Sequence, residues 1–411
     1  MLHRGRPTVS GASPRDDRRS RRWIEWLIVV AAVVALVWGA IYVVDLGQSS
    51  DPPTTTTPLS GPTTTSPAST GGGDLVAYVA NPFAATSRGS VLPVCLSNGH
   101  VGATIAVGGQ PYWIAVSPNG KEAYVANSGW YGPTPQNTIT AIDLSTGRPG
   151  NTIAAGVGPM GIAITPDGTR AYVADMGFAT SQSTFTTADT VTPIDLVTGT
   201  PMAPITVGPG VGAVAVTPDG KTVLAAIDGT PTHPIGSVVP IDVATGRAGR
   251  PIPTGVAPMG IAVTPSGDRA LVVDTGWTPS GHTVTPIDLR TGTAGAPIPV
   301  GQLPLNIAMT PDGSRAFVVD TRGSGDERAV GSVTVIDDAT DRVLTTLQVQ
   351  GNPQSVAVTP DGSTAYVTVL ETSGGELLPI DTATLRPGKP IPIPETPGAL
   401  VIVPDTAGIC R

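Results

Sequence analysis

From residue 74 onward the sequence repeats a unit of 44–52 residues, and this period constrains the fold more than any other feature. One copy starts at Pro159 and reads PMGIAITPDGTRAYVAD, then a variable loop, then TVTPIDLVTGTPMAPITVG. Each copy contains four short β-branched runs separated by turn signals, which indicates a four-stranded propeller blade and not a helical solenoid. The other copies start at Pro111, Val211, Pro258, Pro304, Pro353 and Pro397.

Two turn motifs recur in the unit. T-P-D-G at 165–168 predicts the hairpin between the first and second strands, because Pro presets φ, Asp bonds local N–H groups and Gly accepts positive φ. I-D-x-x-T-G at 194–199 predicts the turn between the third and fourth strands. We interpret the Asp residues of both motifs as structural.

The seventh copy is divided between the two ends of the repeat region. Residues 111–396 hold six full copies, residues 397–404 match only a first strand, and residues 75–107 match the other three strands. The sequence therefore predicts an all-β, seven-bladed propeller of four-stranded antiparallel blades over 74–411. Its last blade is shared by 397–411 and 75–108, which closes the ring and leaves no open sheet between blades.

The chain has two cysteines, Cys95 and Cys410. Cys95 occupies the slot that holds Asp in the I-D-x-x-T-G turns of the other copies, and Cys410 follows the first strand of the divided blade. Both positions are expected at the same edge of that blade, so we predict a disulfide that clasps it. The alternative is two unrelated thiols.

The N-terminal region differs in composition from the repeats. Residues 1–22 hold seven Arg and two Asp. Residues 23–45 are apolar, and Glu25 is their only charged residue before Asp45. The apolar run is long enough for a transmembrane helix, and the one-sided arginines predict a cytoplasmic tail and an exported propeller. Residues 46–73 are a Pro/Thr/Ser/Gly-rich segment that predicts a disordered linker. A cleaved signal peptide is the alternative to this anchor.

Charge argues against nucleic acid as a partner. The chain carries −8 and residues 1–22 contribute +5, so the remainder carries −13, without a basic stripe. The expected partners are the membrane, through the N-terminal helix, and an envelope protein or glycan. We expect no cofactor and no metal.

The recurring second strands resemble the motif of YVTN-type propeller repeats. AYVAN stands at 77–81 and 123–127, AYVAD at 171–175 and AYVTV at 365–369, while Leu224, Leu271 and Phe317 replace the Tyr. The resemblance implies a lactonase-like seven-bladed propeller, with a packing role for the Tyr slot. Related propellers include lactonases, lyases and quinoprotein dehydrogenases, but their active-site residues have no match here, so no activity is carried over.

Aromatic residues concentrate in the loops between second and third strands, or open a first strand at the same face. They either pack the loops onto the blades or form a rim that binds a glycan, peptide or protein. The candidates are Phe83, Tyr112, Trp113, Trp130, Tyr131, Phe178, Phe185 and Trp277.

A second candidate set is a ring of polar residues that end the second strands. Such side chains cap the following loop or hold an ion or polar ligand at the channel mouth. The ring consists of Asn81, Asn127, Asp175, Asp274 and Asp320, with Ile227 and Val369 as breaks.

Catalytic motifs are scarce in the repeats. His233 and His282 lie in corresponding loops of adjacent blades, near Asp228 and Asp274, and form the one weak acid–base candidate. We therefore expect a non-catalytic binding or scaffold module. The alternatives are a hydrolase (lactonase-like) or lyase that uses the two histidines, and a purely structural envelope protein.

The one-sided arginines generate a topology prediction. A reporter enzyme fused after residue 411 should be active only outside the cytoplasm, because Lys and Arg flanks stay inside. Activity in the cytoplasm would contradict this orientation, and release of a mature chain that starts near residue 45 would show a cleaved signal.

Overall fold

The computed structural model describes residues 73–82, 89–129, 136–181, 184–186, 189–229, 235–276, 282–321, 330–371 and 374–411. The predicted tail (1–22), transmembrane helix (23–45) and linker (46–73, except Gly73) lie outside these ranges. Within the described ranges, no helix is long and apolar enough to cross a membrane.

The described residues form seven antiparallel sheets arranged as propeller blades, which confirms the predicted fold. Blades 1 to 6 follow the chain from Pro111, and blade 7 is the divided one. The first strands are Pro111–Val116, Pro159–Ile164, Val211–Val216, Pro258–Val263, Pro304–Met309, Asn352–Val358 and, in blade 7, Leu400–Pro404. The second strands are Glu122–Asn127, Arg170–Asp175, Thr222–Ile227, Arg269–Asp274, Arg315–Asp320, Thr364–Glu371 and Leu75–Asn81.

The outer half of each blade is less regular. The third strands are Thr138–Asp143, Thr190–Asp195, Ile235–Asp242, Thr283–Asp288, Val330–Asp337, Gly374–Asp381 and Ser90–Cys95. The fourth strands are Arg148–Ala154, Thr200–Pro201 with Ile205–Thr206, Arg247–Ala248 with Ile252–Val256, Thr293–Ala294 with Ile298–Pro299, Arg342–Gln350, Ile391–Ile393 and Ile105–Ala106. An extra hairpin, Phe178–Ser181 with Thr184–Thr186, extends from blade 2.

The hydrophobic core consists of seven clusters, one between each pair of neighbouring blades. The Tyr slot contributes one residue to each interface: Tyr78, Tyr124, Tyr172, Leu224, Leu271, Phe317 and Tyr366. The packing role predicted for this slot is therefore confirmed. Because each blade is covered on both faces, its strands are apolar on both faces.

The turn motifs act as predicted. In the first hairpin of blade 2, the Thr165 hydroxyl donates to Asp167 Oδ1 at 2.5 Å, the Thr169 N–H donates to the same oxygen, and Gly168 takes a φ of 71°. In the second turn, Asp195 Oδ1 accepts the N–H groups of Val197 and Thr198 at 2.9 and 2.8 Å. These bonds lower the pKa of both aspartates.

The side opposite the variable loops carries hydrogen bonds between blades that sequence reasoning did not predict. The first residue of several second strands is Arg, whose guanidinium reaches the next blade and donates to the carbonyl after the I-D pair. Arg170 donates to Val243 O at 3.0 Å and Arg269 to Asp338 O at 2.5 Å, while Arg315 donates to Thr382 O. In blade 7 the Thr406 hydroxyl makes the equivalent bond to Leu144 O, at 2.8 Å.

Blade 7 closes the ring. Its second strand pairs with Leu400–Pro404 from the far end of the chain, with Val76 opposite Val403. The predicted disulfide is present: Cys95 and Cys410 are bonded, with Cα atoms 5.1 Å apart and 315 positions apart in sequence. The disulfide therefore joins the first and last segments of the propeller covalently.

Replacement of both cysteines, Cys95→Ser with Cys410→Ser, should lower the free energy of unfolding. A loop of this length gives an upper value of roughly 5–6 kcal/mol in the chain-entropy account. Chemical denaturation of the full chain with and without reductant measures the effect. Reductant should shift the midpoint of the wild type and leave the double variant unchanged; equal midpoints for all four samples would show that the clasp does not stabilise the ring.

Candidate functional site

The loops between second and third strands share one face of the ring with the starts of the first strands, here called the loop face. Among the rim candidates, Phe83, Trp130, Tyr131 and Trp277 lie outside the described residues, as does His233. Phe178 and Phe185 lie on the extra hairpin of blade 2. Tyr112 and Trp113 open the first strand of blade 1.

Tyr112 and Trp113 lie at the mouth of the central channel, where the starts of the first strands converge. Tyr112 is buried and Trp113 is half-buried. Around them lie the corresponding residues of other blades, and we call this set the channel-mouth cluster. It consists of Tyr112, Trp113, Met160, Met259, Leu305 and Gln354.

The cavity at the channel mouth is lined mainly by apolar residues. Its polar lining residues are Asn306, Gln354 and Ser355. Its volume is about 40 Å³, far below the several hundred Å³ that enclose a cofactor or drug-sized ligand. No charged side chain lines this cavity within the described part of the chain. The mouth can accept a small apolar group, such as one side chain of a partner, with thioether and aromatic contacts.

Sequence reasoning found only the blade 1 members of this cluster, although a signal was present. The second and third residues of each copy vary, while the fourth and fifth repeat an aliphatic residue and, in six of the seven copies, Ala. At the second position the copies hold Tyr112, Met160, Gly212, Met259, Leu305, Gln354 and Gly398. This variable start of the first strand, next to repeated packing positions, is the signal from which the other members could have been found.

The polar ring is buried beneath the loop face, and its partners differ from the expected loop N–H groups. Asp175 Oδ2 accepts the hydroxyls of Thr190 and Thr192 from the third strand, at 2.8 and 2.6 Å. Asn127 makes the equivalent bonds from its Nδ2, to Thr138 and Thr140. The ring residue thus fastens the second strand to the third strand of its own blade.

The same arrangement recurs at Asp274, which accepts from Thr283 and Thr285, and at Asp320, which accepts from Ser332 and Thr334. Asp274 also accepts the Gly255 N–H at 2.9 Å. Burial raises the pKa of Asp175 and Asp274 to about 6 and that of Asp320 to about 7, although the hydroxyl bonds lower it. Relative to the unfolded chain, folding therefore favours the neutral form of these carboxyl groups.

A glycine covers each of these acids. A β-carbon on Gly156 would lie 2.1 Å from the Asp175 carboxyl carbon, and one on Gly301 would lie 2.5 Å from that of Asp320. These glycines precede the first strands, so the loop backbone lies directly on the carboxyl group and excludes water. Such buried acids serve the blades and are not open to a ligand.

Blade 3 departs from this pattern. Ile227 takes the ring position, and the half-buried Asp228 follows it. Among the described residues the Asp228 Oδ1 is buried without a hydrogen-bond partner, as are the Oδ1 atoms of Asp175 and Asp320. Burial raises the pKa of Asp228 to about 7. In blade 6, Val369 takes the ring position and is fully buried.

Blade 7 places its acid elsewhere. The ring position holds Asn81, and Glu395 from the loop before the first strand supplies the carboxylate. Glu395 Oε2 accepts Asn81 Nδ2 at 2.6 Å and the Ser90 hydroxyl at 2.8 Å, and the Thr396 hydroxyl donates to Asn81 Oδ1. These bonds join the first and last segments of the propeller at the loop face, on the side opposite the disulfide.

His282, a catalytic candidate, has a structural partner. Its Nδ1 accepts the Leu303 N–H at 2.5 Å. Leu303 itself has a positive φ of 50°. Asp274, the second candidate, is buried under Gly255. In the described ranges, no group of three or more His, Cys, Asp or Glu residues could hold a metal ion.

Comparisons with known proteins identify the fold and no family. No family model matches the chain, and no curated protein matches it. Among solved structures, hydrazine synthase from Kuenenia stuttgartiensis is 23% identical, over 66% of this chain and 76% of that chain, with a TM-score of 0.56.

Two other solved structures align with more of the chain at lower identity. A functionally unknown protein from Desulfotomaculum acetoxidans DSM 771 is 14% identical over 80% of this chain and 98% of that chain, with a TM-score of 0.62. Dihydro-heme d1 dehydrogenase NirN, in complex with DHE, is 16% identical over 82% of this chain and 76% of that chain, with a TM-score of 0.55. At these identities the likeness shows the propeller fold alone.

Each buried ring acid should contribute less to stability as pH rises. Their folded pKa lies above the unfolded value of about 3.8, so the folded state binds more protons between pH 4 and 7. Asp175→Asn with Asp320→Asn should stabilise the protein at pH 8 by roughly 1–3 kcal/mol per site and leave it unchanged at pH 4. Asn127 shows that an amide fits this slot.

Thermal unfolding from pH 4 to pH 8 measures this effect. Asp195→Asn in the exposed turn of blade 2 is the matched control, and it should lose stability at pH 8 because its pKa is lowered in the fold. Parallel pH profiles for the wild type and the ring double variant would contradict the raised pKa of the Asp175 and Asp320 carboxyl groups.

Proposed function

We propose that the chain is a membrane-anchored, extracytoplasmic propeller that binds an envelope protein, glycan or peptide at its loop face, without catalysis. The observation that carries this proposal is the channel-mouth cluster, an apolar and aromatic depression at the centre of that face. Aromatic and Met side chains are enriched where proteins recognise one another, and a few polar groups at the edge orient a ligand.

The loop face offers further apolar surface around this centre. Val157 is 39% exposed in the loop before the first strand of blade 2, and Ile235 is 65% exposed where the third strand of blade 3 begins. Both lie beside the starts of strands that lead to the channel mouth. An apolar partner side chain at the centre and contacts at this margin together favour a macromolecular ligand over a small metabolite.

The anchor, the linker and the family are parts of the same proposal. The one-sided arginines and the apolar run at 23–45 support a single-pass membrane protein with its N-terminus in the cytoplasm. The AYVA[ND] segments in register support membership of the YVTN-type repeat propellers. The 46–73 linker would hold the loop face away from the membrane.

The geometry gives the enzyme alternative less support. A hydrolase or lyase that uses His282 would have at most Nε2 for its substrate, because Nδ1 accepts the Leu303 N–H, and it would have no help from the Asp274 carboxyl, which lies beneath loop backbone. His233 lies outside the described residues, and within those residues Asp228 belongs to no group of three side chains that could hold a metal ion.

A photo-crosslinking residue in place of Gln354 tests the binding face in cells. It should label a discrete envelope partner or glycan, because Gln354 is half-buried at the channel mouth. Met259→Glu, or Trp130→Ala with Trp277→Ala, should reduce the yield at least tenfold without changing the melting temperature by more than a few degrees.

The matched control is the same crosslinker in place of Val197, which is 80% exposed in a turn on the opposite side of the ring. Equal labelling from both positions, or no labelling from Gln354, would contradict a loop-face site. Saturable thermal stabilisation by a divalent metal or a lactone that is lost in His233→Ala would favour the enzyme instead.

A further inference from the structure

Charge is divided unevenly between the two faces of the ring. Every Lys and Arg in the described part of the chain lies in the half of the ring that bears the turns, opposite the loop face. Lys121 and Arg290 lie in those turns, and Arg170 and Arg342 begin a second and a fourth strand next to them. Within the described residues the loop face therefore carries no Lys or Arg.

The loop face carries acids instead, in addition to the buried ring acids. Glu371 is exposed where the second strand of blade 6 ends, and Glu376 is half-buried near the start of the third strand of that blade. Asp189, Asp228 and Glu395 are half-buried at the same face. Burial, and after it the charge of Glu371, raises the pKa of Glu376. A positive charge from outside would therefore be favourable here.

The blade 6 acids lie beside the channel mouth. Gln354 and Ser355 give blade 6 most of the polar lining of the cavity. Val369 pairs with Pro353 on one side and with Glu376 on the other, so two strand spacings, about 10 Å, separate the backbone next to Gln354 from that of Glu376. An extended peptide covers that distance in about three residues.

We propose, on the premise of the loop-face site proposed above, that the partner is a protein segment in which Lys or Arg flanks one small apolar residue. The apolar side chain enters the channel mouth between Met160, Met259 and Trp113. A cation about three residues away along the segment reaches the acids of blade 6, Glu371 and Glu376.

Charge argues against the other classes of macromolecule at this face. Nucleic acid and anionic lipid headgroups present phosphates, and the described loop face has no Lys or Arg to bind them. A second copy bound face to face would bring acids against acids. The strand Leu75–Asn81 begins at the opposite face, where Asp74 accepts the Asp405 N–H, so the described start of the propeller leaves the loop face free.

Two labelled synthetic heptapeptides test the charge preference on the purified full chain in detergent. One has Lys on both sides of a central Val, and the other has Glu in place of each Lys. Fluorescence anisotropy should show at least tenfold tighter binding of the Lys peptide. Its affinity should fall severalfold when salt rises from about 0.05 to 0.5 M, because salt screens exposed charges.

Substitutions on the two faces locate the effect. Glu371→Gln with Glu376→Gln should weaken binding of the Lys peptide at least threefold, and the exposed Glu371→Gln alone should change affinity in the same direction without a change in melting temperature. Lys121→Glu, exposed on the opposite face, is the matched control. It changes the net charge by the same amount in the opposite sense and should leave the affinity unaltered.

Equal affinities for the two peptides, tighter binding of the Glu peptide, binding of neither, or an affinity that follows net charge in Lys121→Glu would each overturn the cationic partner. The loop-face site itself depends on the crosslink from Gln354. A partner labelled from Gln354 through an acidic or uncharged segment would retain that site and overturn only the proposal of a Lys- or Arg-flanked segment.

Discussion

Burial of blade against blade is the interaction on which the rest of this structure depends. Each of the seven hydrophobic clusters lies between two blades, so a blade covers its apolar faces only while both neighbours are in place. That condition applies to all blades at once only in a closed ring. Closure rests on blade 7, the one blade built from both ends of the chain.

Blade 7 is fastened at both ends of its strands. The disulfide of Cys95 and Cys410 joins it on one side of the ring, and Glu395 binds Asn81 and Ser90 at the loop face. Between the disulfide and Glu395, blade 7 is held by the pairing of its strands and by buried side chains. A ring held in this way keeps the starts of its first strands in fixed positions, and a binding site made from several blades requires this rigidity.

The sequence predicted the parts of the structure that repeat. The period specified the blades, T-P-D-G and I-D-x-x-T-G specified the turns, and the exchange of a turn Asp for Cys95 indicated the disulfide. Features that depend on convergence in space were missed. The channel-mouth cluster draws residues such as Met160 and Met259 from different copies; the variable start of each copy marks their position but does not show that they meet.

The polar ring shows a related limit. Its members were recognised from their position at the ends of second strands, but their partners were not. The N–H groups of the following loop are adjacent in sequence, whereas the hydroxyls that bind the acids lie 9 to 17 residues further along, on the third strand. Glu395 was missed because blade 7 moves the acid from strand to loop, which breaks the repeat at that point. Departures from a repeat are therefore as informative as the repeat itself.

Native-state hydrogen exchange of the full chain, before and after reduction, tests most directly whether stability depends on closure at blade 7. With the disulfide intact, the core strands of all blades should exchange through one common opening. After reduction, Leu75–Asn81, Ser90–Cys95 and Leu400–Pro404 should exchange first and fastest. If reduction leaves these strands protected, or if another blade opens before them, closure of blade 7 is not what holds the ring together.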